Sequence, residues 1–476
     1  MLQSIRSRTK NLLIISDLHL GEGLRLGAQG VSADDERLRR LERELSAFLI
    51  HYTAERIEGR PWRLVVNGDM VDFMSILLYP QPVAQLPPPW RVASALRRGD
   101  PWGEEEVFGM GFGAEPSRLK LERVLDHHAA VFGLLARFIA AGNDLVIVLG
   151  NHDMEFAHEE VQRAFVRRLC LLGRDRRIAR RVHFCPWFYY EPDLIYIEHG
   201  HQYDEYCSFD YQLCPAPSRG GMALSLAHLG MRFFGNLVPG YDQRTAERWG
   251  ALDYLRWGVS LGLGSLVWLA YLYGLLVWKV LSIGMLISRS GEEALRRARH
   301  RAQLRALAQT LRIQEEKLWQ LDALRVPPAL RRLGRALTAL FLDRLILGVC
   351  TVLLLAVALP LSPGPWKMAS AAAIVGAAGA AYLALRRVRG QGSPHALRRV
   401  TRAIYQIVRA PLIVLGHSHE PERIALGEGA VYYNTGTWMD GGGSHVGTHL
   451  VVLPTEEAPR AELRRWQNGT VVKLDL

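Results

Sequence analysis

The sequence has little cysteine: five residues in 476, and no two of them form a CxxC pair. An odd number of scattered cysteines indicates neither a zinc ribbon nor a disulfide framework, and it favours a reducing compartment. The chain also lacks a signal-peptide core, because the apolar run at 12–15 ends at Asp17 and His19, whereas such a core needs about 7–15 residues. The run at 12–15 therefore predicts the first strand of the fold.

Positively charged residues outnumber negatively charged ones. The formal net charge is +11, and 476 residues exceed the roughly 100–200 residues of one ordinary domain. A positive chain is compatible with phospholipid surfaces, nucleotides and nucleic acid, and net charge alone does not choose among them.

Short apolar runs rich in β-branched residues predict strands along the chain. Positions 34–56 and 119–141 carry apolar residues at three- and four-residue spacing, which is typical of helices. This alternation predicts an α/β core. The predicted strands lie at 11–17, 63–69, 144–150, 193–200, 411–417, 430–436 and 448–453.

Each of the first five strands is followed at once by Asp, His or Asn. In open α/β sheets, ligand sites gather at the carboxyl ends of the strands. We therefore expect these side chains to meet in a single polar site.

The stretch from about 215 to 405 differs in character, with long uncharged runs. Three segments, at 257–287, 345–361 and 368–385, approach or meet the roughly 17–25 residues of a membrane helix. A buried core helix is the alternative for 257–278 and for the Ala/Gly-rich 368–385. Membrane association is expected even if one of the three is not a span.

The number of complete crossings is expected to be even, because strands on both sides of this stretch should share one sheet. We prefer a helical hairpin of 345–361 and 368–385, with 257–287 as a re-entrant or interfacial element. The positive-inside rule then places both flanks in the cytoplasm and the chain in the cytoplasmic membrane. The arginines that support this are Arg296, Arg297, Arg299, Arg301, Arg305, Arg331, Arg332 and Arg335 before the hairpin and Arg386, Arg387 and Arg389 after it.

Two alternatives stay open here. Pairing 257–278 with 345–361 would export the Arg-rich segment between them, which the same rule disfavours. That linking segment, 292–322, is helical in pattern, and it is either a solvated bundle helix or a helix lying on anionic headgroups.

Five short motifs carry the polar residues at the strand ends: SDLH (16–19), GDMVD (68–72), GNHD (150–153), EHGH (198–201) and GHSH (416–419). Mixed carboxylate, imidazole and carboxamide ligands suit Mn, Fe, Zn or Co, and the absence of thiolates argues against a structural zinc cage. Two such ions about 3.5–4 Å apart can bind a phosphate and lower the pKa of a shared water.

In this order the motifs resemble the pattern DxH, GDxxD, GNH[DE], H and GHxH of the calcineurin-like metallophosphoesterase superfamily. The resemblance covers roughly 11–210 and 410–476. It implies a four-layer α/β/β/α sandwich built from 1–214 and 406–476, with an inserted helical membrane region at 215–405.

The resemblance also implies roles for individual residues. His152 would contact the phosphate and protonate the leaving oxygen, and Asp72 would pair with His152. We expect Asp153 to support the loop, and His201 to contact substrate or to exchange roles with His199. The two divalent ions, manganese first and Fe, Zn or Co as alternatives, would be held by Asp17, His19, Asp69 and His419 and by Asp69, Asn151, His199 and His417, with Asp69 as the bridge.

The substrate is less defined. The stretch 73–117 is expected to be a lid-like loop, with Arg91, Arg97 and Arg98 as substrate contacts. Because the insertion separates His199 from His417, the site should lie near the bilayer.

We therefore expect hydrolysis of a phosphate, phosphodiester or pyrophosphate bond by a bridging hydroxide, on a lipid-linked or amphiphilic substrate. The UDP-2,3-diacylglucosamine pyrophosphatase branch is one possible relative, although that branch usually has Arg where this chain has His152. The alternatives are a membrane-anchored phosphodiesterase, nuclease or phosphatase for a soluble substrate, with nucleic acid not favoured, and a non-catalytic tethered interaction protein. The sequence indicates no oligomeric state.

Overall fold

The computed structural model describes residues 10–21, 25–26, 36–80, 101–215, 223–238, 251–289, 292–388, 393–439, 446–455 and 458–475. The strands are β1 (Asn11–Ile15), β2 (Arg25–Leu26), β3 (Trp62–Asn67), β4 (Leu77–Leu78), β5 (Asp144–Val148), β6 (Val182–Cys185), β7 (Phe188–Glu191), β8 (Ile195–Glu198), β9 (Leu412–Leu415), β10 (Glu422–Gly427), β11 (Ala430–Asn434), β12 (Thr448–Leu453), β13 (Arg460–Gln467) and β14 (Thr470–Lys473).

The helices alternate with the early strands and then dominate the middle of the chain. They are α1 (Glu36–Ala54), α2 (Pro101–Phe108), α3 (Ala114–His127), α4 (Ala129–Ala140), α5 (Glu159–Gly173), α6 (Leu226–Phe233), α7 (Ala251–Ser260), α8 (Leu263–Arg289), α9 (Glu292–Leu311), α10 (Glu315–Ala323), α11 (Leu333–Ala339), α12 (Leu342–Leu361), α13 (Lys367–Val388) and α14 (Ser393–Val408).

Two mixed sheets form the α/β part, which confirms the predicted α/β class. The larger sheet has the order β14-β13-β12-β1-β3-β5-β6, in which β1, β3, β5 and β6 are parallel and the other three strands are antiparallel to their neighbours. The smaller sheet has the order β10-β11-β9-β8-β7, with β11, β9 and β8 parallel. Strands from both ends of the chain therefore lie side by side in each sheet.

Alternate residues of the strands enter different apolar clusters, as the two-residue period of a strand requires. Leu13 of β1 packs with helices α1, α4 and α5, while its neighbours Leu12 and Ile14 pack with residues of the smaller sheet. On the smaller sheet, Ile413 packs with helices α9, α10 and α14. Residues of both sheets thus share one apolar cluster, and each sheet also packs against helices.

The seven predicted strands are all present, including the first one at Asn11–Ile15. The predicted helix at 119–141 is two helices, α3 and α4, that break at His128. His128 lies at the break with non-helical backbone angles (φ −96°, ψ 30°), and its side chain is held by Glu42 Oε1, 2.6 Å from Nδ1, and by the Gly21 N–H, which donates to Nε2 at 3.2 Å.

Three helices are long and apolar enough to cross a membrane: Gly264–Gly284 within α8, Leu342–Leu361, and Gly364–Leu385. Helices α12 and α13 have no buried residues in their apolar windows, so packing within the protein does not explain their composition. These helices support the predicted membrane association.

Helix α8 differs from α12 and α13 because one of its sides packs against the rest of the protein. Leu272, Leu276 and Val280 are buried against α6 and the end of α2. The predicted segment 257–287 is divided in two: α7 ends at Ser260, the chain breaks at Gly262 with φ +84°, and α8 begins at Leu263. The expectation of a re-entrant or interfacial element stays a prediction.

The linking segment packs on the smaller sheet. Leu304 and Leu307 of α9 and Leu318 of α10 are buried with residues of α14 and β9. Burial of this face favours the bundle alternative for 292–322, while the arginines on the other face of α9 stay exposed.

The expectation of one continuous loop at 73–117 is wrong. Phe73 and Ile76 are buried in the main core, β4 follows, and α2 and the start of α3 occupy the end of the segment. Apolar side chains inside this segment explain the difference, since they pack on the core. Residues 81–100 lie outside the described residues.

Candidate metal centre

The carboxyl ends of five strands meet at one edge of the two sheets. Strands β1, β3 and β5 are adjacent and parallel in the larger sheet, and β8 and β9 are adjacent and parallel in the smaller one. Parallel neighbours end at the same edge, so the residues that follow them converge. The residues brought together are Asp17, His19, Asp69, Asp72, Asn151, His152, His199, His417 and His419.

The first group consists of Asp17, His19 and His419, which offer one ligand atom each, all within 4.8 Å of one another. His419 Nε2 lies 3.1 Å from Asp17 Oδ1 and 3.4 Å from His19 Nε2. Asp17 Oδ1 is fully buried, and its close neighbour His419 Nε2 does not meet it with hydrogen-bond geometry. A carboxylate oxygen of this kind fits a cation better than it fits a purely structural role.

The second group consists of Asp69, His199 and His417. His199 Nδ1 donates to the carbonyl of Asn67 at 2.8 Å, which directs Nε2 toward Asp69 Oδ2 at 3.1 Å and Asn151 Oδ1 at 3.2 Å. A backbone carbonyl on the far nitrogen is the usual way in which a ligating histidine is oriented. Burial lowers the pKa of His199, but Asp69 outweighs burial and raises the pKa to about 9.

Asp69 links the two groups. Its Oδ2 lies 3.1 Å from His199 Nε2 and 3.8 Å from His19 Nε2, and its Oδ1 accepts the backbone N–H of His152 at 2.9 Å. One carboxylate oxygen therefore faces an imidazole from each group, as a bridging ligand would.

His152 and Asp72 form a buried pair beside these groups. His152 Nδ1 lies 2.8 Å from Asp72 Oδ1, and Ser75 donates its hydroxyl to Asp72 Oδ2 at 2.6 Å. Burial acts to raise the pKa of Asp72, but the charge and hydrogen bond of His152 outweigh it and hold this pKa far below its ordinary value. The ionised carboxylate fixes the orientation of the His152 ring.

The backbone at the site is strained. Five non-glycine residues have φ between 46° and 67°, a backbone region that is unfavourable for residues with a Cβ. Backbone strain of this kind clusters at functional sites. Space is equally restricted, since a Cβ at Gly68 would lie 2.2 Å from His199 Nδ1 and a Cβ at Gly150 would lie 2.2 Å from Asp69 Oδ1. The five residues are Asp17, His19, Asp69, His417 and His419.

Asp153 and Asn434 behave as supports. Asp153 accepts the N–H groups of Met70 and Gly150, both at 2.7 Å, as expected for a residue that stabilises the loop. Asn434 donates to the Gly416 carbonyl at 2.9 Å and thereby holds the turn before His417.

His201 is buried but lies outside both ligand groups. Its Nε2 is 2.9 Å from Gln202 Nε2, and its ring lies 5.6 Å from that of His199. The geometry thus favours His199 over His201 as the member of the second group. Arg91, Arg97 and Arg98 lie outside the described residues.

Sequence reasoning missed Asp204. Its Oδ2 lies 3.2 Å from His417 Nε2, and it forms a further group with Cys207 and His417. Asp204 follows no strand and belongs to no motif, so the sequence carried no signal for it.

No protein-family model, curated protein or solved structure matches this chain. Function is therefore inferred from the site itself. The donors are carboxylates, imidazoles and one carboxamide, without thiolate in the two groups linked by Asp69, and this set fits two borderline or hard divalent cations.

Proposed function

We propose that this chain is a metal-dependent phosphoric ester hydrolase with two divalent cations. The observation that carries the proposal is the position of Asp69 Oδ2, between His19 of one group and His199 of the other. The first cation would be held by Asp17, His19, Asp69 and His419, and the second by Asp69, Asn151, His199 and His417. Mn is proposed first, with Fe, Zn or Co as alternatives.

When bound, the cations would supply a water of lowered pKa and neutralise the charge on the phosphate. The chain's own contribution to the chemistry comes from His152 and Asp72. Asp72 holds the His152 ring against the site, and His152 binds a phosphate oxygen and delivers a proton to the leaving oxygen.

The packing supports the layer order that the motifs imply. One apolar cluster contains residues of both sheets, and each sheet packs helices through its other set of alternate residues. We infer the stack α/β/β/α, with 1–214 and 406–476 forming the sandwich and 215–405 inserted into it.

The substrate class is inferred from contacts between the insertion and the region around the site. Lys279 of α8 pairs with Glu104 of α2 at 2.5 Å, and Asn236 after α6 donates to the Met74 carbonyl at 2.8 Å, two residues beyond Asp72. The insertion thus contacts the chain two residues beyond Asp72 through Asn236, and its apolar helix α8 pairs with α2 through Lys279. This supports a lipid-linked or amphiphilic substrate hydrolysed at the membrane.

A comparison of substrates tests the proposal. With Mn, the purified protein should hydrolyse p-nitrophenyl phosphate or bis-p-nitrophenyl phosphate. When lipid-linked diphosphates, phospholipids and single-stranded DNA are compared in detergent and in vesicles, it should hydrolyse the amphiphilic compounds faster than the DNA. A preference for DNA, or a rate indifferent to the lipid tail, would support an anchored enzyme with a soluble substrate. Absence of any metal-dependent turnover would support the non-catalytic tether.

For the membrane we infer a hairpin of α12 and α13, with α8 lying at the interface. Packing of Leu272, Leu276 and Val280 against the protein leaves one face of α8 for the lipid, and an even number of crossings keeps the two parts of each sheet on one side. The arginine-rich flanks support a cytoplasmic position for that side.

Labelling of an introduced cysteine should show this arrangement. Gln309→Cys lies at an exposed position of α9 and should react with a membrane-impermeant maleimide in inside-out vesicles, but not in intact cells. The unchanged chain is the control, because Cys350, its exposed cysteine, lies within α12. Reaction of the variant in intact cells would contradict the proposed topology.

A further inference from the structure

A third group of metal-ligating side chains lies beside the proposed centre. It consists of Asp204, Cys207 and His417, whose ligand atoms all lie within 4.8 Å of one another. Asp204 Oδ2 lies 3.2 Å from His417 Nε2. A nitrogen and an oxygen bound to one tetrahedral zinc ion are about 3.3 Å apart, because each bond is about 2.0 Å long. The group is therefore compact enough to bind a single cation.

The donor atoms of this group differ from those of the two groups linked by Asp69. Cys207 contributes a sulfur, beside the carboxylate of Asp204 and the imidazole of His417. Thiolate ligands favour zinc over manganese and magnesium, which favour oxygen ligands. Three protein ligands also leave the fourth position of a tetrahedral zinc ion for water. The third group should therefore select a thiophilic divalent cation.

One tight turn positions two of the three ligands. Asp204 and Cys207 are separated by two residues in DEYC (204–207), a spacing at which two ligands on one turn commonly bind zinc. The Cys207 N–H donates to the Asp204 carbonyl at 3.1 Å, and the Tyr206 N–H donates to Asp204 Oδ1 at 2.9 Å. The backbone thus holds Oδ1 of Asp204, while Oδ2 is the oxygen beside His417.

The membrane insertion holds this turn in place. The Val326 N–H donates to the Gln202 carbonyl at 2.9 Å, and the Ala329 N–H donates to the Glu205 carbonyl at 2.8 Å. Arg335 also pairs with Glu205 at 3.3 Å. Because these contacts order the turn without a cation, little further ordering is needed when a cation binds.

The third group is more accessible than the proposed catalytic carboxylates. The side chain of Asp204 is 18% exposed and that of His417 is 8% exposed, and Cys207 is partly buried. The side chains of Asp17 and Asp69 are 0% and 2% exposed. A cation from solvent can therefore reach Asp204 directly.

His417 is shared between two groups. It belongs to the third group and also to the group of Asp69 and His199. A neutral imidazole has one acceptor nitrogen, so it binds one cation at a time. A cation bound by Asp204, Cys207 and His417 therefore removes His417 from the second cation of the proposed centre.

We propose that Asp204, Cys207 and His417 form a third site for a thiophilic divalent cation such as Zn, and that its occupation inhibits the protein. The Cys207 thiol gives up its proton when the cation binds. The inhibition rests on the proposed hydrolase function, because it acts by withdrawing His417 from the second Mn position. The cation site itself does not depend on that function.

Cadmium is the probe for binding, because a cadmium–thiolate bond absorbs in the ultraviolet. In the full-length protein with excess Mn, Cd should produce a saturable absorption that Zn removes by displacement. Cys207→Ser should lose this absorption. Asp204→Asn should bind Cd at least about tenfold more weakly, since even the loss of an outer-shell partner weakens metal binding by about 10–100-fold.

Cys214→Ser is the matched control, because Cys214 is also partly buried and follows in the same segment but does not belong to the group. Its Cd absorption should equal that of the unchanged protein. Far-ultraviolet circular dichroism and the unfolding temperature in EDTA should agree between the two serine variants, which shows that the fold of Cys207→Ser is intact. If Cys207→Ser is unfolded, the Cd affinity of Asp204→Asn decides.

Inhibition is measured by adding Zn to the Mn-dependent hydrolysis of bis-p-nitrophenyl phosphate, with each protein compared with its own rate without Zn. The Zn concentration for half inhibition should be about tenfold or more higher in Cys207→Ser than in the unchanged protein and in Cys214→Ser. Zn that merely replaces Mn in the groups linked by Asp69 would inhibit all three proteins at the same concentration.

The outcomes separate the site from its effect. Cd absorption that persists in Cys207→Ser, or an unchanged Cd affinity in Asp204→Asn, would overturn the third site. Equal inhibition of the three proteins by Zn would overturn its inhibitory role. If the ester is not hydrolysed with Mn, the proposed hydrolase function fails on this substrate, while the Cd absorption still decides whether the third site exists.

Discussion

Asp69→Asn should lower kcat for metal-dependent hydrolysis by about three orders of magnitude or more. A bound divalent ion lowers the pKa of water from about 16 to about 7. Loss of the two correctly placed cations should therefore lower the rate of hydrolysis by a large factor. Asparagine keeps the size of the side chain but removes the negative charge that faces His19 and His199. The backbone should tolerate the change, because asparagine accepts the left-handed conformation that Asp69 adopts, with φ 54°.

The measurement has two parts. Hydrolysis of bis-p-nitrophenyl phosphate is followed against Mn concentration, and the Mn-induced rise in unfolding temperature is followed in the same samples, because an ion that binds only the folded state stabilises it. Asp126→Asn is the matched control, since Asp126 is an exposed carboxylate that pairs with Arg168 away from the site. Full activity and full Mn stabilisation in Asp69→Asn would refute the bridging role.

His152→Gln should lower kcat by about 10²–10⁴-fold on an ester with a poor leaving group, the range expected for loss of a general acid. The loss should be smaller on p-nitrophenyl esters, because p-nitrophenolate leaves without help from a proton. Asp72 fixes the His152 ring at 2.8 Å, so the proton donor is already oriented in the protein.

The decisive quantity is the ratio of the loss of kcat on the ester with a poor leaving group to the loss of kcat on the p-nitrophenyl ester. Rates for methyl p-nitrophenyl phosphate and for a dialkyl phosphate are compared in the variant, in the unchanged protein and in His395→Gln, whose histidine is exposed on α14. His152 also forms a group with His19 and Asp72 that could hold a cation. The proposed positions of the two cations predict that Mn stabilisation persists in His152→Gln, and its loss would place a cation in that third group instead. Equal losses on both esters would assign His152 to phosphate binding alone.

Buried strands of this fold are readable from the sequence, while its edge strands are not. Strands such as β1 and β5 are continuous apolar runs because both faces are covered. Strand β13, RAELRRWQ, which pairs with the edge strand β14, carries four charged residues, and the edge strand β10 alternates between partly buried and exposed positions. Strands at or next to an edge are defined by their pairing with neighbours and not by their composition.

The candidate site follows the same division. Residues directly after buried strands, such as Asp17 and His419, could be predicted because the ends of parallel strands converge. Asp204 could not, because a loop that follows no strand brings it beside His417 through tertiary packing.

A delay in strand pairing during synthesis follows from the way the two ends of the chain share each sheet. Leu12 of β1 pairs with Val452 of β12, and Ile195 of β8 pairs with Leu412 of β9. At about 5–20 residues per second, roughly 10–40 s separate the emergence of β8 from that of its partner. During this interval the first strands have unpaired edges while the apolar helices are synthesised. Completion of the two sheets therefore waits for those helices to be made, and a chain whose proposed membrane insertion is blocked should be open to aggregation and proteolysis.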